Sequence, residues 1–421
     1  MSEALEVWLR DRRIGSLKPT RRGASFSFDE DIVTSSPGLP TLSTALPVRA
    51  PSADAELTRA WFTGLLPEGQ QRVEVSRRFG LESGSYFDML RETGWECAGA
   101  VVVVPPQGAP RSASLRALTA SDITERLNAL PGHPFDANDA LRISLGGYQA
   151  KMLVTSSAEG WSLPLDGAIS THILKPQPAR QWPGIIEGEA WTMTLAASTT
   201  PTAEVDLMRL DGAPLTLVVT RFDRIEVGGT LIRIHQEDAA QAMGIHPDRK
   251  YASRQASKSD PSLLKIAGLL ERYSAAPRTD LHRLLQQVVV NVAVGNTDAH
   301  AKNYGIMHRT EVEISLSPMY DVVPAAVVNP ATTEMGLRVG GTLLADRVTT
   351  TKIIDEARSW GMRENEARHE VEETLVALRA GTEYADERYP DTPPAISAWV
   401  SGRIGELLDQ LAVGVSRHES V

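Results

Sequence analysis

Leu284 to Val323 reads LLQQVVVNVAVGNTDAHAKNYGIMHRTEVEISLSPMYDVV, and it is the one stretch where acidic, amide and basic side chains follow a long apolar run. Asp298 and Asn303 stand five residues apart in NTDAHAKN. Asp321 closes an alternating segment, HRTEVEISLSPMYD, that reads as two short strands or a strand and turn. Phosphoryl transfer needs parts in this order: a carboxylate to receive a hydroxyl proton, an amide to hold Mg²⁺, and a second carboxylate across a hairpin to complete the metal site. Ordinary turns also gather Asp, Asn and His, because these side chains hydrogen-bond the backbone. Here the ionisable groups lie between two apolar segments, where a charge is costly unless it is paired or bound to metal. The spacing therefore predicts a kinase that uses ATP and Mg²⁺.

The rest of the chain sets the bounds. With 421 residues it is long enough for two or three domains, and 42% hydrophobic with 23% charged residues excludes wholesale disorder. A formal charge of -10 argues against broad nucleic-acid binding by this chain alone, although a partner can still bring it to DNA. The single cysteine, Cys97, has no disulfide partner in the chain and reads as a small buried apolar residue, and no Cys/His set has zinc spacing. The start, MSEALEVWLRDRR, lacks the apolar core of a signal peptide, and no apolar run approaches the roughly 20 residues of a bilayer span, so a cytoplasmic protein with no membrane partner is expected.

Alternation over residues 4–30 predicts a small meander of strands, and the Pro- and Ser-rich stretch 35–53 a loop. Helices are expected over Asp54 to Leu66 and Gln71 to Phe79, and a buried strand within GWECAGAVVVVPP (94–106) completes a subdomain at 1–104. Residues 105–139 read as a connector with one helix from Ser121 to Ala129, opened by a Ser or Asp cap. Residues 140–225 hold strands at 141–157, 171–176, 203–209 and 215–222 around a helix from Glu187 to Ser198, a plausible nucleotide-covering lobe. From 226 to 421 the pattern turns to helices: 237–243, 262–273, 281–294, 351–360, 364–380 and 395–415. The expected class is α+β, a two-lobed protein-kinase-like fold with a β-rich N-terminal lobe, an extra N-terminal subdomain and a helical C-terminal lobe.

Several residues outside the central stretch suit phosphate chemistry. SLGGYQAK (144–151) is not a Walker A loop, but Gly146 and Gly147 lack the Cβ that would block backbone N–H groups from phosphates, and Lys151 ends the turn. Lys175 closes an apolar strand, where a kinase needs a lysine for the α- and β-phosphates, and Glu189 on the next helix is the best carboxylate to fix it, with Glu187 the alternative. TLVVTRFDR (216–224) would be the hinge, with main-chain groups of Thr220 and Phe222 meeting adenine. His300 is expected to order the catalytic loop by hydrogen bonding, and Lys302 to neutralise charge on the γ-phosphate. His235, His246 and His308 read as surface or loop residues, and Trp61, Trp95, Trp182 and Trp191 as packing residues.

These residues resemble the HipA toxins of bacterial HipBA-type toxin–antitoxin modules, serine/threonine kinases with a fold distantly similar to lipid kinases. The matching segments are LLPEG (65–69), GWECAGAV (94–101), SLGGYQAK (144–151), THILKP (171–176), TRFDR (220–224), HQEDAAQAMG (235–244), VGNTDAHAKN (294–303) and MYDVVPA (319–325), in the family's order. The resemblance implies Asp298 as catalytic base, Asn303 and Asp321 as Mg²⁺ ligands, and Lys175 on the ATP phosphates. It also implies nucleotide contact through Gln149 and Ser144, the latter as an autophosphorylated serine whose added charge would eject the glycine loop. The implied partners are a small HipB-like helix-turn-helix antitoxin, operator DNA through that antitoxin, and an aminoacyl-tRNA synthetase as substrate, the glutamyl enzyme being the best-known case. Two other readings stay open: a co-repressor subunit whose catalysis is weak, and a small-molecule phosphotransferase.

Overall fold

The computed structural model describes residues 3–21, 23–49, 53–81, 85–106, 113–130, 149–178 and 182–418. The chain divides into two compact units, one built from Met1–Ala179, Met208–Pro247 and Ile306–Ile314, the other from Arg180–Leu207, Asp248–Gly305 and Ser315–Val421.

In the first unit the expected meander is present as antiparallel strands Leu5–Leu9, Arg12–Thr20 and Gly23–Phe28, with Val101–Val104 added beside Leu5–Leu9. Leu5, Val7 and Leu9 alternate inward and meet Phe26, Trp61, Phe62 and Leu66 in one apolar core, which also encloses Cys97. A second core lies under the sheet that runs Ser114–Ala117, Gly160–Leu165, Met152–Ser157, His172–Pro176 and Thr216–Thr220 in spatial order. Helix Ala120–Ala129 covers it with Ile123 and Leu127. Its cap is Thr119, not a serine or aspartate: the Thr119 hydroxyl accepts from the Asp122 N–H while Asp122 accepts from the Thr119 N–H, a capping box.

A buried ionic cluster joins these two cores. One Glu96 oxygen accepts from Arg224 at 2.8 Å and Arg221 at 3.2 Å, and the other from Arg233 at 2.5 Å. Asp223 accepts from Arg221 at 2.8 Å and from the Gly99 N–H at 2.7 Å. Glu96, Arg221, Asp223 and Arg224 are all buried, and their partners come from both GWEC and TRFDR, which no local rule would pair. Burial pushes the Glu96 carboxyl up, but the three arginines together outweigh it and hold it at about 2. An unfolded glutamate titrates near 4.5, so this contribution is complete above that value and is lost as pH falls towards 2. The difference amounts to about 3 kcal/mol. Melting temperature should therefore fall steeply below pH 4.5 in calorimetry, and a flat profile down to pH 3 would contradict it.

The reading of His235 and His308 as surface or loop residues is overturned. Both are buried, with rings 5.1 Å apart, and His308 faces Glu237 at 3.1 Å while His235 meets the Leu42 carbonyl at 2.8 Å. Glu237 also accepts from Trp61 Nε1 at 3.0 Å and the Thr44 N–H at 2.9 Å, so a carboxylate inside the fold replaces water as the partner of groups from three segments. Burial first, then the neighbouring His308, pushes His235 down to about 3, and it stays neutral.

The second unit is mainly helical. Glu364–Arg388 packs against Ile185–Ala196, Pro277–Ala293, Thr350–Ser359 and Pro394–His418. It runs eight residues past its expected end, because Leu375, Leu378 and Ala385 keep burying one face. Trp191 is buried as expected, its indole N–H donating to Asp386 at 2.8 Å, whereas Trp182 is 42% exposed and is not a core residue. The C-terminal half also holds hairpins that a helix-period reading passes over, Arg224–Val227 with Thr230–Arg233 and Glu334–Val339 with Thr342–Leu344. Both turn on adjacent glycines.

Candidate active site

Helix Pro277–Ala293 delivers the central stretch. Proline at its first turn suits a position whose N–H needs no partner, and Leu284, Leu285, Val288, Val289 and Val292 bury one side. Four of its last six residues are β-branched valines, weak helix formers, so burial carries this helix rather than propensity. It ends where the Asn296 N–H returns to the Asn291 carbonyl at 2.8 Å around Gly295, whose φ of +70° favours glycine. A Cβ at Gly295 would also lie 2.7 Å from the Trp399 ring. That closure points the chain into the loop 296–303.

Asp298 is exposed at the loop's apex, while His300, Lys302 and Asn303 are buried. The Asn303 side-chain nitrogen donates to the Asp298 carbonyl at 3.0 Å, and the His300 N–H to the same oxygen at 2.7 Å. Committing the amide nitrogen to the backbone leaves the Asn303 oxygen as the atom able to face a cation. The Tyr320 hydroxyl donates to the Lys302 carbonyl at 2.6 Å, and Asn296 donates to the Asp321 carbonyl at 3.3 Å. These two bonds stitch the Tyr320–Asp321 backbone to the loop, so Asp298, Asn303 and Asp321 come from one bonded arrangement. Asp321 has a φ of +58°, a left-handed conformation that aspartate, like asparagine, adopts more readily than other side-chain-bearing residues. Gly336, on the strand Glu334–Val339, allows that strand to pass close behind the loop; a Cβ there would lie 2.6 Å from the Ala299 carbonyl carbon and the His300 nitrogen.

His300 orders the loop differently from expectation. Its ring meets Tyr251 edge-on, 4.9 Å between centroids, and its Nδ1 is buried with no hydrogen-bond partner among the described residues. Burial first, then the positive charges of Lys250 and Lys302, hold it well below its ordinary value, against the pull of Asp321, so it is neutral. Asn296 Oδ1 and Thr297 Oγ1 are likewise buried and unpartnered. Three such atoms in five residues are unusual in a folded chain and fit a loop that meets a polar ligand. Hard oxygen donors from an amide and a carboxylate suit Mg²⁺ in kind.

The other expected residues lie as follows. Gln149 and Lys151 precede the strand Met152–Ser157 and are half-buried, whereas Ser144, Gly146 and Gly147 lie outside the described residues. Lys175 is buried on His172–Pro176 opposite Leu217. Thr220 ends Thr216–Thr220 opposite His172, and Phe222 follows it, both half-buried. Glu189 is buried on Ile185–Ala196 in the second unit. Sequence reasoning missed Lys250 and Tyr251. The Tyr251 hydroxyl donates to Asp298 at 2.6 Å, and the Ala301 N–H to the Lys250 carbonyl at 3.1 Å, but a separation of 47 residues left no signal to connect them.

An α+β chain that carries an Asp–Asn loop and a following aspartate on such supports has a protein-kinase-like fold. The chain belongs to the HipA family: its residues 143–381 match the HipA-like C-terminal domain and 5–104 the HipA N-terminal domain. It is 35% identical to the candidate kinase Y4mE of Sinorhizobium fredii over 80% of both chains. It is 27% identical to the serine/threonine-protein kinase toxin HipA of Shewanella oneidensis over 76% of this chain and 74% of that one. Among solved structures, the Shewanella oneidensis toxin–antitoxin complex of HipA, HipB and operator DNA superposes with a TM-score of 0.80 at 22% identity, covering 97% of this chain and 96% of that one. Kinase activity is thus a property of the family, and no helix among the described residues is long and apolar enough to cross a membrane.

Proposed function

We propose that this chain is an ATP-dependent serine/threonine protein kinase and the toxin of a type II toxin–antitoxin module. The observation that carries this reading is the bonded arrangement of Asp298, Asn303 and Asp321, two carboxylates and an amide on one loop and the segment stitched to it. Asp298 receives the proton of the acceptor hydroxyl as the phosphoryl group transfers. The Asn303 oxygen and the Asp321 carboxylate would hold Mg²⁺, which supplies neutralisation of the phosphate charge. Lys302, buried in the same loop, adds a fixed positive charge, and neutral His300 keeps the loop's shape. Lys175 is proposed to meet the ATP phosphates, and the main chain at Thr220 and Phe222 the adenine.

The proposed partner is a HipB-like helix-turn-helix antitoxin that brings the chain to operator DNA. It draws support from the Shewanella complex and from a net charge unsuited to direct DNA binding. The proposed substrate is an aminoacyl-tRNA synthetase, the glutamyl enzyme first, with Ser144 as the site of self-inactivation. Both rest on the family resemblance. Phosphoproteomics after brief induction, wild type against Asp298→Ala, tests the substrate: a synthetase phosphopeptide absent from the variant is expected, and identical profiles would refute it.

Asp321→Asn separates chemistry from folding. Asparagine tolerates the left-handed backbone and keeps the shape, but removes the charge that would hold the metal. Transfer from labelled ATP should fall by about two orders of magnitude or more with melting temperature nearly unchanged, and growth arrest on expression without antitoxin should disappear. Arrest that persists in the variant would favour the co-repressor reading.

A further inference from the structure

Tyr251 has no role in the reading above, although its side chain hydrogen-bonds the proposed base. Its hydroxyl donates to Asp298 Oδ1 at 2.6 Å, which is the bond that the hydroxyl of a phosphoryl acceptor must make with the base before transfer. The backbone around it is fixed. The neighbouring Lys250 carbonyl accepts from the Ala301 N–H at 3.1 Å, and the Ala252 N–H donates to Gly336 at 2.9 Å. The following turn is closed by Asp260 on Ser253 and by Arg338 on the Ser253 and Arg254 carbonyls. The Lys250 ammonium lies 5.5 Å from the centre of the Tyr251 ring. That ring rests edge-on against His300, yet Tyr251 remains 43% exposed, so rotation away from Asp298 meets solvent rather than core.

We propose that Tyr251 is a built-in acceptor mimic: its phenol occupies the acceptor's place at Asp298 Oδ1, keeps water from that one oxygen, and is displaced when a serine or threonine hydroxyl binds. This rests on Asp298 being the group that receives the acceptor proton. The device has a chemical purpose. A kinase holding ATP with an empty acceptor place would let water attack the γ-phosphorus, forming inorganic phosphate, breaking the bond to the β-phosphate oxygen to release ADP, and giving the water proton to Asp298. A phenol in that place keeps water out, and its lower nucleophilicity and larger ring disfavour its own transfer.

The test is ATP hydrolysis by the purified full-length chain with Mg²⁺ and no acceptor protein, which needs no knowledge of the natural substrate. Tyr251→Phe keeps the ring on His300 and removes only the oxygen, leaving room for a water on Asp298. ADP release is expected to rise about three- to tenfold. Affinity for a fluorescent ATP analogue should be unchanged, since the phenol is not a nucleotide ligand. Tyr251→Ala should show the same gain, and Asp298→Asn combined with Tyr251→Phe should show none, which assigns the new hydrolysis to the base. Unchanged or slower hydrolysis in both Tyr251 variants, with measurable wild-type turnover, overturns the mimic and makes Tyr251 a residue that orients Asp298. If wild type and variants neither bind the analogue nor release ADP, the kinase reading itself fails.

Discussion

Asp298→Asn should lower phosphoryl transfer by about 10²–10⁴-fold while leaving the fold intact. The substitution preserves size and the acceptor oxygen that meets the Tyr251 hydroxyl, and the Asp298 carbonyl that orders Asn303 and His300 belongs to the backbone and is untouched. What disappears is the capacity to take a proton. Asp298 is exposed, so no buried charge is stranded, and the change in stability should be on the order of 0.5 kcal/mol. Transfer from labelled ATP to the chain itself or to its substrate is the readout, with nucleotide affinity as the control. A variant that retains transfer within about threefold of wild type would remove Asp298 from the mechanism.

The largest effect on stability is expected from Glu96→Ala. Three guanidiniums lose a carboxylate, and Arg221 and Arg224, both buried, keep Asp223 as the carboxylate they share, beside hydrogen bonds to the Cys97 and Gly99 carbonyls and the Ser170 hydroxyl. Breaking a buried ionic cluster from one side costs about 3–5 kcal/mol, because it leaves positive charge in excess of negative charge where water does not reach. Urea titration should show the midpoint moving down, with the unfolding free energy lower by that amount, and insoluble expression is the extreme form of the same result. Glu96→Gln should recover part of the loss, since it keeps one oxygen acceptor for the guanidiniums and the Ser170 hydroxyl. If Glu96→Ala unfolds at the wild-type midpoint, the cluster is not what joins the two cores of the first unit.

The two variants mark how far the sequence could be read. Asp298, Asn303 and Asp321 were legible because their relation is local: five residues in a loop and one hairpin, each bounded by apolar runs whose period names the element. The N-terminal meander and the helix Leu263–Tyr273 with its Ser262 cap were legible for the same reason. The charged residues of GWEC and TRFDR were visible as motifs but mute about purpose, since the Glu96–Arg221 bond spans 125 residues. His235 and His308 misled for a related reason. A polar residue in a short strand looks exposed until a group from elsewhere, Glu237 for His308 and the Leu42 carbonyl for His235, is shown to satisfy it.

From the amino-acid order alone came the N-terminal meander, the main helices, the α+β class and the three side chains of the proposed chemistry, because periodicity and short spacing are set by bonds along the chain. Only the tertiary structure decided the left-handed turn at Asp321, the neutral state of His300 and the phenol of Tyr251 on Asp298. Each of these is fixed by groups distant in sequence. Desolvation and hydrogen bonding act through space, and a one-dimensional pattern carries no record of them.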